Sequence, residues 1–138
     1  MNLKKKIFIA EDHQLFREGL KSLLISSGDY EMVGEAQNGL DAVRLVKKAM
    51  PDLLLLDLSM PKMSGISVIN EIKTTYPEIK ILALTIHESD EYVLEAFNAG
   101  ADGYCIKDAS RQELLVAIRN VLEGKKYISP GIADNVME

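Results

Sequence analysis

The feature that most constrains the fold is a run of four leucines, residues 53–56, that ends on Asp57. Pro51 precedes the run and Pro61 follows it, which leaves too little room for a helix and predicts a short strand. A strand that is apolar at every position is typical of a strand buried on both faces. Asp57 then needs charged or polar partners, because an unpaired buried charge is costly.

Four more short apolar segments alternate with longer segments of helical period. Besides residues 52–57, the predicted strands are residues 6–10, 31–36, 79–85 and 103–107. The intervening apolar residues follow the i, i+3, i+4, i+7 spacing of a one-sided helix. They are Phe16, Leu20, Leu23 and Leu24; Ala42, Val43, Val46 and Met50; Val68, Ile69, Ile72 and Tyr76; Val93, Ala96 and Phe97; and Leu114, Ala117, Ile118 and Val121. The alternation predicts an α/β fold of the doubly wound (βα)5 type, with a parallel five-stranded sheet covered on both faces.

Polar residues stand where four of the five predicted strands end. In chain order they are Glu11 and Asp12, Asp57, Thr85 and Lys107. Ligands of open parallel sheets bind outside the carboxyl ends of the strands, so these side chains are expected to meet. Each has a simpler explanation when taken alone: Asp12 as a helix N-cap, Thr85 as a β-branched strand residue, and Lys107 as a solvated loop lysine.

This set of side chains suits the transfer of a phosphoryl group to a carboxylate. Clustered carboxylates are typical ligands of Mg²⁺, which also shares phosphate oxygens. Asp57 is the predicted nucleophile, since a carboxylate can form an aspartyl phosphate. Mg²⁺ and Lys107 would offset the charge of the transition state, which is most of what the reaction requires.

Four segments in this order resemble the receiver domain of two-component response regulators. They are EDH (11–13), LLLLDLSMPKMSG (53–65), LALT (82–85) and ADGYCIKD (101–108). The resemblance covers residues 4–124, implies a flavodoxin-like sheet with the strand order 2-1-3-4-5, and is strongest to the LuxR/NarL/FixJ-type subfamily. Residues 125–138 resemble the linker toward a helix-turn-helix domain that this chain lacks, and a truncated regulator is favoured over a stand-alone receiver.

The resemblance assigns roles in phosphorylation. It implies that Asp57 accepts a phosphoryl group from a sensor histidine kinase and that Thr85 and Lys107 contact this group. Tyr104 matches an aromatic switch residue that turns inward when Thr85 moves, although an ordinary half-buried strand aromatic is the simpler explanation. Two residues match positions that modulate the phosphoryl lifetime, Ser59 and His87. The expected protein is a signalling domain, not an enzyme, that catalyses only its own phosphotransfer and autodephosphorylation.

The implied metal site combines acidic side chains with one main-chain oxygen. Asp12, Asp57 and the backbone carbonyl of Ser59 would ligate Mg²⁺, or Mn²⁺ in its place, and Glu11 would reach the ion through water. Many receivers have a cis-proline after the lysine, but Asp108 stands there in this chain. A cis bond before a residue other than proline costs about 3–4 kcal/mol. The sequence therefore leaves both isomers of the bond between Lys107 and Asp108 as alternatives.

Composition bounds the location and the partners. The one cysteine, Cys105, forms no internal disulfide and is most simply a small buried hydrophobe, which predicts a cytoplasmic protein. The net charge of -5 and the lack of an apolar stretch near ~20 residues argue against binding of nucleic acid or membrane by this chain itself. Binding of DNA and control of transcription are expected only through the missing C-terminal domain.

The last predicted helix carries apolar residues beyond its core face. Leu115 and Leu122 lie side by side there, with Val116 farther round the helix. The resemblance favours a homodimer that forms on phosphorylation. The alternative is that this second face packs against the linker at Tyr127 and Ile128.

Three other classes of protein share part of the pattern. A flavodoxin-like or Rossmann cofactor binder needs a glycine-rich or hydroxyl-rich phosphate loop where this chain has EDHQ, residues 11–14. A phosphatase with an aspartate nucleophile needs a second acid where Ser59 stands. A degenerate receiver that only docks partners would normally lack Asp57, Thr85 or Lys107, and all three are present.

Overall fold

In the part of the chain that the structure describes, five βα units follow one another, and a sixth short strand comes after the fifth helix. The structure is a computed structural model that describes residues 3–86 and 90–130. The strands are β1 (Lys5–Ala10), β2 (Tyr30–Ala36), β3 (Leu53–Asp57), β4 (Lys80–Thr85), β5 (Gly103–Ile106) and β6 (Tyr127–Ile128). The helices are α1 (Gln14–Ser27), α2 (Gly39–Ala49), α3 (Gly65–Thr75), α4 (Asp90–Ala99) and α5 (Arg111–Leu122).

All six strands lie in one parallel sheet in the order β2-β1-β3-β4-β5-β6. The predicted doubly wound sheet and its order 2-1-3-4-5 are confirmed. The sixth strand goes beyond the prediction, because two residues of extended chain carry too little pattern to be recognised. In β6, Tyr127 pairs with Gly103 and Ile128 pairs with Tyr104.

The leucine run forms the centre of the sheet, as predicted. β3 pairs with β1 on one side and with β4 on the other, and all four leucines are 0% exposed. Leu54 and Leu56 pack into the core beneath α2, α3 and α4, whereas Leu53 and Leu55 pack into the core beneath α1 and α5. Two separate cores therefore explain why the run has no polar position.

Helix ends follow local chemistry, and one predicted core position is wrong. Three polar side chains cap helices by accepting a hydrogen bond from the backbone N–H three residues later, namely Asn38, Ser64 and Ser110.

Met50, expected on the buried face of α2, instead ends that helix in the left-handed region (φ 45°) and is 41% exposed. Pro51 disfavours a right-handed helical conformation for the residue before it, so the chain turns away at Met50.

Two further expectations concern the backbone and the membrane. Among the described residues every peptide bond is trans, which includes the bond between Lys107 and Asp108. In the same part of the chain, each helix is too short or too polar to cross the apolar interior of a bilayer.

Replacing Leu55 with alanine is expected to lower the free energy of unfolding by about 3–5 kcal/mol, because the change leaves a cavity in the core beneath α1 and α5. The matched control is Leu15→Ala, at an α1 position that is 85% exposed, with an expected loss below about 0.5 kcal/mol. Urea unfolding followed by circular dichroism measures both losses. Equal losses in the two variants would contradict a central, doubly buried β3.

Candidate functional site

Parallel strands bring the predicted site residues to one edge of the sheet. Asp57 is the last residue of β3 and Thr85 is the last residue of β4. Glu11 directly follows β1, and Lys107 directly follows β5. Because neighbouring strands run in the same direction, these four residues reach the carboxyl edge together.

Lys107 lies between two buried carboxylates. Its Nζ is 2.8 Å from Oε1 of Glu11 and 3.2 Å from Oδ2 of Asp57. The ammonium also lies 5.0 Å from the ring centroid of Phe16 in α1. Desolvation lowers the pKa of Lys107, but the hydrogen bonds and charges of Glu11 and Asp57 outweigh it and raise the pKa overall. The simpler explanation of Lys107 as a solvated loop lysine is therefore wrong.

The side chain of Asp57 is almost completely shielded from solvent. It is 1% exposed, and its Oδ1 accepts a hydrogen bond of 3.0 Å from the backbone N–H of Ser59. Burial raises the pKa of Asp57 to about 6; the Ser59 N–H and Lys107 oppose this shift, and the charge of Glu11 adds to it. Asp57 is thus ionised at neutral pH, although burial makes its charged form energetically costly.

The loop after β1 supplies the other acids. Oε2 of Glu11 accepts a hydrogen bond of 3.0 Å from the backbone N–H of His13. The Nδ1 of His13 lies 3.4 Å from Oε2 of Glu11 and 3.5 Å from Oδ1 of Asp12. Asp12 is not the N-cap of α1, since His13 occupies that position. Desolvation raises the pKa of Asp12, but hydrogen bonds with Glu11 and Asp57 outweigh this effect and lower it.

The acidic cluster fits a hard divalent cation. Ligand atoms of Glu11, Asp12, His13 and Asp57 all lie within 4.8 Å of one another. One oxygen of each of the three carboxylates is buried and accepts no hydrogen bond from the described residues, although Lys107 makes ion-pair contacts with two of these oxygens. Three clustered carboxylates, of which Lys107 contacts two, leave an excess of negative charge, and buried oxygens of this kind require a partner. Oxygen ligands suit Mg²⁺, so the residues fit the predicted metal.

Thr85 and Tyr104 interact with each other in the interior of the protein. Both are fully buried, and Tyr104 packs in the core that α4 covers. Burial raises the pKa of Tyr104 to about 12, against the effect of a hydrogen bond with Thr85. Tyr104 is therefore fully buried and not the half-buried strand aromatic of the simpler explanation. Of the two predicted modulators, Ser59 is exposed beside Asp57, and His87 lies outside the described residues.

Arg17 is a residue that the sequence interpretation missed. It is 5% exposed and shares the buried face of α1 with Leu20 and Leu24. Its Nη1 donates to the backbone carbonyl of Glu11 at 2.7 Å, and its Nε donates to Oε1 of Glu35 at 2.8 Å. The sequence did offer a signal for its burial: Arg17 precedes Leu20 and Leu24 by three and seven positions, which places a charged residue on the apolar face of the helix.

Comparisons with known proteins agree with this geometry. Residues 7–119 match the family model described as the response regulator receiver domain. The transcriptional regulatory protein DegU of Brevibacillus brevis is 38% identical over 135 residues, which are 98% of this chain and 57% of that protein. This chain therefore spans less than two thirds of the length of that curated relative.

Solved structures show the same fold over nearly the whole chain. A LuxR-family two-component response regulator from Aurantimonas is 33% identical with a TM-score of 0.93, and the match covers 98% of this chain and 96% of that one. The signal receiver domain of the response regulator NarL from Mycobacterium tuberculosis is 34% identical with a TM-score of 0.85, covering 88% and 98% of the two chains.

The raised pKa of Asp57 predicts that wild type and Asp57→Asn differ in stability in a pH-dependent way. Below about pH 4 the carboxyl is protonated in both the folded and the unfolded state, so the two proteins are expected to be similarly stable. Between about pH 4 and 6 only the unfolded state ionises, and wild type loses stability relative to the variant. Above about pH 6 the difference levels off at roughly 2–3 kcal/mol.

Urea unfolding in metal-free buffer across this pH range measures the difference. Asp29→Asn, which removes a carboxylate at an exposed position before β2, serves as the control. A difference between wild type and Asp57→Asn that stays constant from about pH 4 to 8 would contradict the raised pKa.

Proposed function

We propose that this chain, which belongs to the response regulator receiver domain family, accepts a phosphoryl group on Asp57 from a sensor histidine kinase. The observation that carries this proposal is the ion-pair contact of Lys107 with both Glu11 and Asp57 at the carboxyl edge of the sheet. We assign the phospho-accepting domain to residues 4–124 and a linker to residues 125–138. We further propose that the domain is not an enzyme acting on an external substrate.

The residues present supply most of what the transfer requires. Asp57, with a pKa of about 6, is ionised at neutral pH, so its carboxylate can attack the phosphorus while the bond from phosphorus to the donor imidazole breaks. Lys107 contacts this carboxylate, and its ammonium would stabilise the negative charge on the oxygens of the transferred phosphoryl group. Positioning and charge compensation dominate phosphoryl transfer, and both are present in the ground state.

We propose that Glu11, Asp12, Asp57 and the backbone carbonyl of Ser59 hold Mg²⁺, with Mn²⁺ as an alternative. When bound, the ion supplies positive charge beside the phosphoryl oxygens. The buried carboxylate oxygens that accept no hydrogen bond within the described part of the chain support this assignment.

We propose that Thr85 and Tyr104 form the switch. The hydroxyl of Thr85 lies at the end of β4, on the same edge as Asp57, and interacts with the buried Tyr104. A hydrogen bond from Thr85 to a phosphoryl oxygen would change that interaction and shift an existing equilibrium of the Tyr104 side chain. Ser59 and His87 are proposed to tune the phosphoryl lifetime.

In the whole protein we propose that the output is control of transcription through a C-terminal DNA-binding domain. The similarity to the Brevibacillus relative, which is named a transcriptional regulatory protein, supports this proposal. We also propose that phosphorylation promotes a homodimer. Leu115 and Leu122 pack in the same core as Tyr127 of β6, which uses part of the second face of α5. Val116, 44% exposed, remains for contact with a second copy.

Acetyl phosphate with Mg²⁺ is expected to add one phosphoryl group to wild type, because Asp57 lies beside Lys107 in the acidic cluster. Asp57→Asn is expected to abolish the addition, whereas Asp29→Asn, an exposed carboxylate at the other end of the sheet, is expected to be labelled like wild type. Intact-mass spectrometry measures the addition. Equal labelling of Asp57→Asn would contradict the acceptor, and undiminished labelling with a chelator present would contradict the metal.

This chain is expected to be mainly monomeric when unphosphorylated and to self-associate more with a beryllofluoride mimic of the phosphoryl group. It is not expected to bind DNA in either state, since its net charge is -5. Analytical ultracentrifugation with and without the mimic measures the mass, and Val116→Glu is expected to weaken the association. If the mass is identical in both states at protein concentrations well above micromolar, the proposal that this domain dimerises is contradicted.

A further inference from the structure

Arg17 is a nearly fully buried cation close to the acidic cluster, yet none of its contacts is with Asp57. Nη1 donates to the carbonyl oxygen of Glu11 at 2.7 Å, and Nε donates to Oε1 of Glu35 at 2.8 Å. A buried arginine is costly unless its donors are paired, so these contacts determine how its side chain is placed. Arg17 therefore joins the end of β2, through Glu35, to the loop after β1.

The contact with Glu11 fixes the backbone from which two acids project. The N–H of Glu11 donates to the carbonyl of Ala36 at 2.9 Å, and its carbonyl accepts from Arg17. Both main-chain polar groups of Glu11 are thus held by a hydrogen bond. Since the peptide unit is planar, fixing that carbonyl also fixes the N–Cα bond of Asp12. The directions of the Glu11 and Asp12 side chains toward Asp57 depend on this one peptide plane.

Glu35 in turn holds the guanidinium in place. It is in β2, one residue before the end of the strand, and its two oxygens accept from Arg17 and from Lys21 at 2.8 and 2.7 Å. The contact with Lys21 lies nearer the surface and does not touch the loop after β1. The carboxylate of Glu35 therefore makes one contact, with Arg17, that connects to the acidic cluster, and another, with Lys21, that does not.

We propose that Arg17 is a positioning residue for the phosphoryl-transfer site, and that a relay from Glu35 through Arg17 to the Glu11 carbonyl holds the acids of the Mg²⁺ cluster in their binding orientation. The inference rests on the proposed function, because it assumes that the cluster binds Mg²⁺. Partners that orient metal ligands without touching the metal typically change affinity by about 10–100-fold when they are removed.

The simpler explanation is that Arg17 and Glu35 form an ion pair that serves stability alone. In that case, loss of either residue lowers the unfolding free energy, but the folded protein binds Mg²⁺ with unchanged affinity. Mg²⁺ affinity measured on folded variants therefore separates a positioning role from a purely structural one.

The experiment compares four variants with wild type by calorimetric titration with Mg²⁺, after circular dichroism has established that each variant is folded. Arg17→Met keeps the apolar stem and is expected to bind Mg²⁺ about tenfold more weakly or worse. Glu35→Ala removes the anchor of Arg17 and is expected to weaken binding by about threefold. Glu35→Gln keeps an acceptor for Arg17 and is expected to restore most of the affinity. Lys21→Met removes the other hydrogen bond to Glu35 and is expected to bind like wild type.

Wild-type affinity in folded Arg17→Met would overturn the relay. Should Arg17→Met not fold, the comparison of Glu35→Ala with Lys21→Met decides: equal affinities in these two variants would overturn the relay as well. Labelling of wild type by acetyl phosphate in the same series keeps the two proposals apart. A wild type that is labelled on Asp57 while all four variants bind Mg²⁺ equally well refutes the relay alone, and an unlabelled wild type refutes the proposed function.

Discussion

The clustering of three carboxylates, two of them in contact with the ammonium of Lys107, is the constraint on which the rest of this structure depends. Glu11 and Asp57 are fully buried, and Lys107 contacts both of them. Such a cluster is unfavourable without a further cation, because each buried charge loses its hydration. The two apolar cores on either side of β3 supply the stability that tolerates it. Only a parallel sheet delivers all these residues to one edge without long loops.

Close backbone approaches hold the loop that follows Asp57. A Cβ added to Gly65 would lie 2.6 Å from the Cα of Leu58, and one added to Gly39 would lie 2.4 Å from the carbonyl oxygen of Met63. The beginnings of α2 and α3 therefore press directly on the loop that carries the Ser59 carbonyl. A metal site gains from this arrangement, since ligands on rigid elements keep their geometry without a bound ion.

One residue of the proposed switch pair, Tyr104, lies in the strand next to the C-terminal strand β6. Tyr104 is in β5, and its carbonyl accepts a hydrogen bond of 3.0 Å from the N–H of Ser129, just after β6. The hydroxyl of Ser129 in turn accepts from the N–H of Ile106 at 3.0 Å. The side chain of Tyr104 interacts with Thr85, and its backbone pairs with β6, so β5 connects the proposed phosphorylation site with the start of the proposed linker.

The sequence by itself determined the elements and the edge at which the site lies. Helical and strand periods are local, and polar residues at the ends of parallel strands meet because of the sheet topology alone. Only the tertiary structure decided the pairing of Arg17 with Glu35, the full burial of Tyr104 and the existence of β6. Arg17 and Glu35 are 18 residues apart along the chain, and no local period links such positions. Contacts of this kind form only when separate helices and strands pack together, and their physical reason is the need of a buried charge for a partner.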